Sequence, residues 1–125
     1  MTLLLTSLSP PVCLFSSEVI HTLVQEGHPA APGACGENIT LQGLAWSQVA
    51  GSGAVLAIGC TAVLQMTEWT TPCESIKGAF TKGAFSRICP KRNPGCSRWY
   101  AKVVASGWVH PGDEVRVLRM PDAST

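Results

Sequence analysis

Cys73 is the residue whose type and position point most directly to chemistry. It follows Pro72 at the end of an apolar run and opens a long, positively charged stretch. A cysteine reacts and binds metals as its thiolate, and nearby cations lower the thiol pKa below a free value of about 8.5. Thiolate sulfur suits soft or high-valent metals rather than magnesium or calcium. The position therefore predicts a catalytic or metal-ligating cysteine, and the alternative is a buried thiol that only packs.

The positive charge that follows Cys73 is concentrated in one segment. The formal net charge is +1, yet residues 1–76 contain no Lys or Arg, whereas residues 77–102 contain no Asp or Glu. A segment of one sign indicates an anionic partner such as a phosphate, a nucleotide or nucleic acid, and the alternative is a solvated loop. We single out Lys91, Arg92 and Arg98 as candidates for a phosphate. At least two of them are expected to converge beside Cys73, because a dianion is best held by converging cations.

Length and composition limit the class of protein that can carry this chemistry. The chain has 125 residues, of which 46% are hydrophobic and 14% charged, so we expect one compact domain and exclude intrinsic disorder. No apolar run approaches the roughly 18 residues of a membrane-spanning helix. The first residues lack the basic region of a secretory signal, so the six cysteines are expected as free thiols in the cytoplasm.

The elements that must position these residues are predicted to be mainly strands. Ser16 or Ser17 caps a short helix that ends at Gly27. Residues 74–97 form a long connection with one short helix at its start, and long connections in compact domains are commonly functional. Several strands and one or two short helices favour a barrel-like β domain. The predicted strands are Ala54–Ile58, Ala62–Met66, Arg98–Ala105 and Glu114–Leu118.

The order of several short motifs resembles one known family. Gly36-Glu37-Asn38-Ile39-Thr40 is followed by Gly43-Leu44, then by Thr71-Pro72-Cys73, and finally by the stretch FSRICPKRNPGCSRWYAKVVASGWVHPGDEV. Together these motifs resemble a MOSC domain, the module named after the C-terminal part of molybdenum cofactor sulfurases and also found as small stand-alone proteins. The resemblance divides the chain into a non-matching arm at 1–11, a MOSC domain at 12–118 and a tail at 119–125.

The resemblance implies a fold, a cofactor and a reaction. It implies a β-barrel-like domain that binds the molybdenum cofactor, molybdopterin, with Cys73 as the residue that ligates molybdenum or carries sulfur. Asn38 falls at a position associated with the family's pocket. Stand-alone members reduce N-hydroxylated bases and amines, which implies a small-molecule substrate and an electron-donor protein for an oxidoreductase or a sulfurtransferase-like enzyme. The sulfurases add a link to pyridoxal phosphate, although their aminotransferase-like domain has no counterpart here.

The chain departs from the family pattern at its start. Complete members begin with strands and a Gly-Asp plus His-Gly-Gly region, whereas Met1–Pro11 does not match. We therefore expect an incomplete barrel with an unpaired sheet edge through which chains could associate. This departure keeps two alternatives open, an inactive truncated form and a non-catalytic module that binds anions or nucleic acid. Nucleic acid is the weaker of these partners, because the tryptophans are interpreted as core or rim residues.

Overall fold

The fold is mainly β, as the sequence predicts. A computed structural model describes residues 2–123, and within them eight strands and two short α-helices are present. We number the elements in chain order. The strands are β1 Leu3–Leu5, β2 Val12–Ser16, β3 Ile39–Leu41, β4 Val55–Ile58, β5 Ala62–Thr70, β6 Arg98–Ala105, β7 Gly107–Val109 and β8 Val115–Arg119, and the helices are α1 Ser17–Gln25 and α2 Trp46–Val49.

Six strands form one sheet that curls into a half-barrel. Their order is β3-β2-β6-β5-β4-β8, so β3 and β8 are the two edges of the sheet. The β2–β3 pair is parallel and the other pairs are antiparallel. Strands β1 and β7 form a separate antiparallel pair. The expected barrel-like β domain with few helices is confirmed, and its sheet has open edges.

Helix α1 begins where its sequence predicts. The Ser16 hydroxyl accepts a hydrogen bond from the Val19 N–H at 3.2 Å, which satisfies one of the unpaired donors of the first turn. Gly27 follows the helix with a φ of 95°, a left-handed conformation that favours glycine. The buried side of the helix carries Ile20 and Leu23. The helix therefore lies with its apolar face against the protein interior.

Strand β5 alternates as predicted and continues further. Leu64 and Met66 are buried, whereas Gln65 is half-buried and Thr67 is exposed. The predicted strand ends at Met66, but the observed strand reaches Thr70 because β6 pairs with it as far as the Thr70–Arg98 partners. This extension carries the chain directly to Pro72 and Cys73.

The connection between β5 and β6 is packed rather than free. It contains three 3-10 segments, Glu74–Ala79, Thr81–Gly83 and Phe85–Ile88, where the sequence predicted one short helix. Side chains from this connection form a buried cluster with side chains of α1 and the end of β2. This cluster is separate from the core that the sheet covers. The cluster comprises Phe15, Ile20, Leu23, Ala30, Cys35, Ile76, Ala79, Phe80 and Ile88.

Candidate functional site

Cys73 lies exposed just beyond the end of β5. Its backbone is extended, with φ −145° and ψ 174°, and the first 3-10 segment begins at the next residue. The Cys73 Sγ lies 2.9 Å from the Ser75 Oγ, within hydrogen-bonding distance. The side chain is open to solvent, so a substrate or a metal can reach the sulfur. The predicted reactive cysteine is therefore accessible and has a polar partner.

The surroundings of Cys73 favour its thiolate. Hydrogen bonds from the side chain and the backbone of Ser75 lower the pKa of the Cys73 thiol, and the positive charge of Arg98 lowers it further. Desolvation, which outweighs the effect of Arg98, and the charge of Glu74 act in the opposite direction but do not reverse the shift. A lowered pKa increases the fraction of the nucleophilic and metal-binding form near neutral pH.

Two other cysteines have the opposite environment. Burial raises the pKa of the Cys13 thiol, and burial together with the charge of Glu37 raises the pKa of Cys35 to about 11. The Cys13 Sγ lies 3.6 Å from the Thr70 Oγ1 inside the fold. Both thiols therefore remain protonated near neutral pH, which is the environment of packing cysteines rather than of nucleophiles.

Arg98 is the one of the three candidate cations that lies inside the fold. Only 5% of its surface is exposed, and it begins β6 opposite Thr70. Its Nη1 donates to the Cys35 carbonyl oxygen at 2.7 Å, and its Nη2 donates to the Thr71 carbonyl oxygen at 3.3 Å. Its Nε is buried and has no hydrogen-bond partner within residues 2–123. Arg98 thus brings a positive charge, bound to carbonyl oxygens, close to Cys73.

The other two candidate cations lie on the surface. Lys91 and Arg92 are exposed in the connection between β5 and β6, where the Arg92 N–H closes a turn onto the Cys89 carbonyl oxygen at 3.1 Å. The structure therefore relates Arg98 to Cys73 through the Arg98 Nη2 hydrogen bond to the carbonyl oxygen of Thr71, two residues before Cys73. Convergence of Lys91 or Arg92 on the same place stays a prediction.

Asn38 supports the junction of β2 and β3. Its side-chain Oδ1 accepts a hydrogen bond from the Cys13 N–H at 2.8 Å, and its own N–H donates to the Cys13 carbonyl oxygen at 2.8 Å. These two bonds hold the start of β3 in register beside β2. Asn38 is also exposed and borders a large cleft, and its role in a cofactor pocket stays a prediction.

This cleft, called here the edge cleft, has a volume of about 720 Å³. It lies between the edge strand β3 and the turn that leads into the edge strand β8. Asn38 borders it, whereas Cys73 is not among its lining residues. The described residues that line it are Leu3, Pro32, Gly33, Glu37, Asn38, Ile39, Thr40, Leu41, Gln42, Ile58, Val109, His110, Pro111, Gly112, Asp113, Glu114 and Val115.

Sequence reasoning did not single out two residues that the structure places at these sites. Ser75 is the hydrogen-bond partner of Cys73, and its position two residues later in the chain was the available signal. Glu37 is only 8% exposed, and its Oε2 accepts a hydrogen bond from the Thr40 hydroxyl at 2.9 Å. Its Oε1 is buried without a partner among the described residues. The motif around Asn38 contains Glu37, but nothing in the motif indicates burial.

Within the part of the chain that the structure describes, no group of three or more His, Cys, Asp and Glu residues could hold a metal ion. In the same residues, no helix is long and apolar enough to cross a membrane.

Comparisons with known proteins agree with this architecture. Two solved structures share the fold, YiiM of Geobacillus stearothermophilus (TM-score 0.70, 23% identity) and YiiM of Escherichia coli (TM-score 0.72, 22% identity). The aligned region covers 95% and 100% of this chain but only 61% and 66% of those proteins, respectively. No curated protein matches the sequence significantly.

The sequence itself carries the family signature over most of its length. The profile described as "MOSC domain" matches residues 5–116, which includes Asn38, Cys73 and Arg98. This match spans the half-barrel from the end of β1 into β8. The chain belongs to the MOSC domain family.

Proposed function

We propose that this protein binds the molybdenum cofactor through Cys73 and acts in sulfur carriage or in the reduction of N-hydroxylated compounds. The observation that carries the proposal is the state of Cys73, an exposed thiol whose pKa is lowered by Ser75 and Arg98. A thiolate of this kind is a ligand that soft and high-valent metals prefer. The family supports the choice of cofactor, and the exposure of the Cys73 thiol supports its choice as the ligand.

The residues around Cys73 fit the metal end of such a cofactor. When bound, the cofactor would supply a metal centre that exchanges electrons or carries sulfur. Cys73 would ligate the metal, and Ser75 would keep the sulfur deprotonated and oriented through its 2.9 Å contact. Arg98 would add positive charge from the interior, since its guanidinium is held in place by two carbonyl oxygens.

The cofactor's phosphate fits the basic connection better than the edge cleft. The lining of the cleft includes Glu37, Asp113 and Glu114, whose negative charges would repel a phosphate dianion. Lys91 and Arg92 are exposed on the connection and free of nearby acids in sequence. We therefore propose that the exposed Lys91 and Arg92 hold the phosphate, with Arg98 contributing its charge from the interior. Asn38 borders the edge cleft, and its part in binding the cofactor rests on the family resemblance alone. The only link to pyridoxal phosphate is the association of the family's sulfurases with that cofactor.

The proposal extends to the compartment and the partners. We propose the reducing cytoplasm as its compartment, with which six cysteines that form no disulfide in the structure are compatible. A small-molecule substrate would bind at the cofactor, and an electron-donor protein would serve the reductive reaction. The chain spans less than two thirds of the length of the two YiiM proteins, so the proposal does not include the activity of those longer proteins.

Elemental analysis tests the proposal most directly. The protein is produced in cells that make molybdenum cofactor, and its molybdenum content is measured for the wild type, Cys73→Ser and Cys60→Ser. Cys60 is the matched control because it is also exposed but lies in the turn between β4 and β5. We expect Cys73→Ser to remove the metal and Cys60→Ser to retain it. Equal loss in both variants, or no molybdenum in the wild type, would contradict the proposal.

A second candidate function is supported by the exposure of Lys91 and Arg92. A non-catalytic module could use this surface to bind an anion, and such binding would weaken steeply with salt. The Cys73→Ser variant distinguishes the two functions. A binder that relies on the basic segment keeps its affinity for polyphosphate in this variant, whereas a cofactor protein that depends on Cys73 loses its metal.

A further inference from the structure

The end of α1 is joined to the connection between β5 and β6 by side chains that can titrate. The His28 Nδ1 accepts a hydrogen bond from the Thr81 N–H at 3.1 Å, and the Thr81 hydroxyl donates to the Gly27 carbonyl oxygen at 2.8 Å. Arg87 donates from Nε and Nη2 to the two carboxylate oxygens of Glu26 at 2.7 and 2.8 Å. These five residues form a contact that we name the α1 junction.

The bond from Thr81 requires a neutral His28 ring. A ring nitrogen that accepts a hydrogen bond carries no proton, so the proton of the neutral ring lies on Nε2. Protonation makes both ring nitrogens donors, and the proton on Nδ1 then faces the Thr81 N–H. The His28 side chain is only 13% exposed and packs edge-on against the buried Phe80, with 5.3 Å between the ring centroids. This packing limits how far the ring can rotate away from Thr81.

The charged groups near His28 act in the same direction. The Glu26 Oε1 lies 3.8 Å from the His28 Nε2, and the same oxygen accepts the 2.7 Å hydrogen bond from Arg87. Hydrogen bonds from Arg87 lower the pKa of Glu26, so this carboxylate stays charged at about pH 5–8, where histidines change charge. A positively charged His28 therefore competes with Arg87 for Glu26. Lys82, the cation next to Thr81 in the chain, is exposed.

The open form of the junction binds a proton more tightly than the closed form. Glu26 and His28 are two residues apart at the end of α1, so they can pair with each other whether or not the connection is attached. The bonds of Thr81 and Arg87 across the junction exist only in the closed form, and a charge on His28 opposes both. The form that binds the proton more tightly gains population as the pH falls.

Backbone strain next to Thr81 favours release once the bond to His28 is lost. Lys82 has φ 57° and ψ 24°, and it is the one non-glycine residue with a positive φ among those that the structure describes. This left-handed conformation is unfavourable for a residue with a Cβ, and it persists only where the surrounding structure holds it. The two hydrogen bonds of Thr81 hold the chain directly before Lys82. Loss of one of them lets the strained turn relax.

We propose that the α1 junction is a pH-sensitive latch, in which protonation of His28 releases the connection at Thr81 and Arg87 from the end of α1. The latch is closed at neutral pH and opens as the pH falls through the range in which His28 becomes charged. The connection begins next to Cys73, so an open latch alters the segment that the proposed function uses. The latch itself does not depend on that function, because it involves neither Cys73 nor a cofactor.

Amide hydrogen exchange and an NMR titration test the latch on the full chain. The protection factor of the Thr81 N–H is measured from about pH 8 to about pH 5 and corrected for the intrinsic exchange rate, while the His28 ring protons report the charge of the ring. The variant is His28→Asn, because its Oδ1 can accept the Thr81 N–H in place of Nδ1 but does not titrate. His21→Asn is the matched control, since His21 is an exposed histidine of the same helix.

The expected result is local to the α1 junction. Protection of the Thr81 N–H falls by about fivefold over this range, the effect of losing one hydrogen bond, and the midpoint coincides with that of the His28 ring. The amides of β5 keep their protection, because that strand lies within the sheet. His28→Asn keeps Thr81 protected at both ends of the range, and His21→Asn behaves as the wild type.

Four results would overturn the proposal. Constant protection of Thr81 while the His28 ring titrates would show that the charge of His28 does not control the bond. A midpoint different from that of the ring, or the same loss in His28→Asn, would assign the change to another group. A parallel loss in the amides of β5 would indicate general unfolding in acid. None of these measurements involves molybdenum, so failure of the latch is distinguishable from failure of the proposed function.

Discussion

Arg98 and Cys35 are 63 residues apart in the chain, and the Arg98 Nη1 donates a 2.7 Å hydrogen bond to the Cys35 carbonyl oxygen. This bond ties the loop before β3 to the first residue of β6. Through Nη2, the same guanidinium also contacts the Thr71 carbonyl oxygen, next to Pro72 and Cys73. One buried cation therefore joins the loop that leads to the edge cleft with the segment that carries Cys73.

Removing the guanidinium of Arg98 should destabilise the fold. Arg98→Met keeps a long side chain but leaves the Cys35 and Thr71 carbonyl oxygens without their donor. We expect the free energy of unfolding to fall by about 2–3 kcal/mol, the cost of leaving buried polar groups unpaired. Urea denaturation measures the change. The exposed Arg92→Met is the control and should stay within about 0.5 kcal/mol of the wild type. Equal effects of both substitutions would contradict the role assigned to Arg98.

The reactivity of Cys73 should depend on Ser75. Because the side-chain hydrogen bond of Ser75 is the largest cause of the lowered pKa, Ser75→Ala, which keeps only the backbone hydrogen bond, should raise the pKa of the Cys73 thiol. The pH at which Cys73 reaches half of its maximal rate of alkylation by iodoacetamide should therefore move upward. Mass spectrometry of the labelled peptide follows Cys73 separately from the other cysteines. An unchanged profile in Ser75→Ala would show that the contact does not stabilise the thiolate.

The ion pair between Arg87 and Glu26 should contribute pH-dependent stability. Arg87 donates from Nε and Nη2 to the two carboxylate oxygens of Glu26 at 2.7 and 2.8 Å, and this pairing lowers the pKa of Glu26. A carboxyl whose pKa is lower in the folded state stabilises above its ordinary pKa and loses that contribution as the pH falls through the folded value. Glu26→Gln should therefore be less stable than the wild type at neutral pH.

The comparison at acidic pH completes this test. At a pH well below the folded pKa of Glu26, wild type and Glu26→Gln should have the same urea midpoint, since both side chains are then neutral. Glu68→Gln replaces an exposed residue on β5 and serves as the control. Its urea midpoint should stay close to that of the wild type at both neutral and acidic pH. A stability difference that persists at acidic pH would mean that the substitution acts through packing instead of charge.

The cap of α1 should contribute measurably to stability. Ser16→Ala removes the hydroxyl that accepts the Val19 N–H, and loss of a serine cap costs about 1 kcal/mol. Urea denaturation should show this loss in Ser16→Ala. Ser17→Ala, which alters the first helical residue, should change stability much less, because alanine is a good helix former and Ser17 is not the cap. A larger loss in Ser17→Ala than in Ser16→Ala would place the helix start elsewhere.

Local sequence determined the elements that depend on neighbouring residues. The predicted strand Arg98–Ala105 has the observed bounds, and the start of α1 follows from the serine cap and the helical spacing behind it. The burial of Leu64 and Met66 follows from the strand period of two. These features are set within a few residues of chain, so a single sequence contains the information. The motifs around Asn38 and Cys73 also sufficed to recognise the family.

Only the tertiary structure determines which residue among several of the same type is exposed and which is buried. Cys13, Cys35 and Cys73 are all cysteines, but packing buries the first two and leaves Cys73 exposed beside Ser75. The thiol pKa is therefore raised in Cys13 and Cys35 and lowered in Cys73. Likewise, Arg98 is buried while Lys91 and Arg92 remain in solvent, although all belong to one basic segment.

The physical reason is that burial and charge come from residues distant in sequence. The environment of Arg98 is formed by carbonyl oxygens 63 and 27 residues away, and the register of Asn38 depends on Cys13, 25 residues before it. No local pattern contains these contacts, because they form only when the strands associate into the sheet. The sequence alone therefore indicates that a thiol, a cation and a carboxylate are present, and the association of the strands decides which of them are exposed, charged or left without a partner.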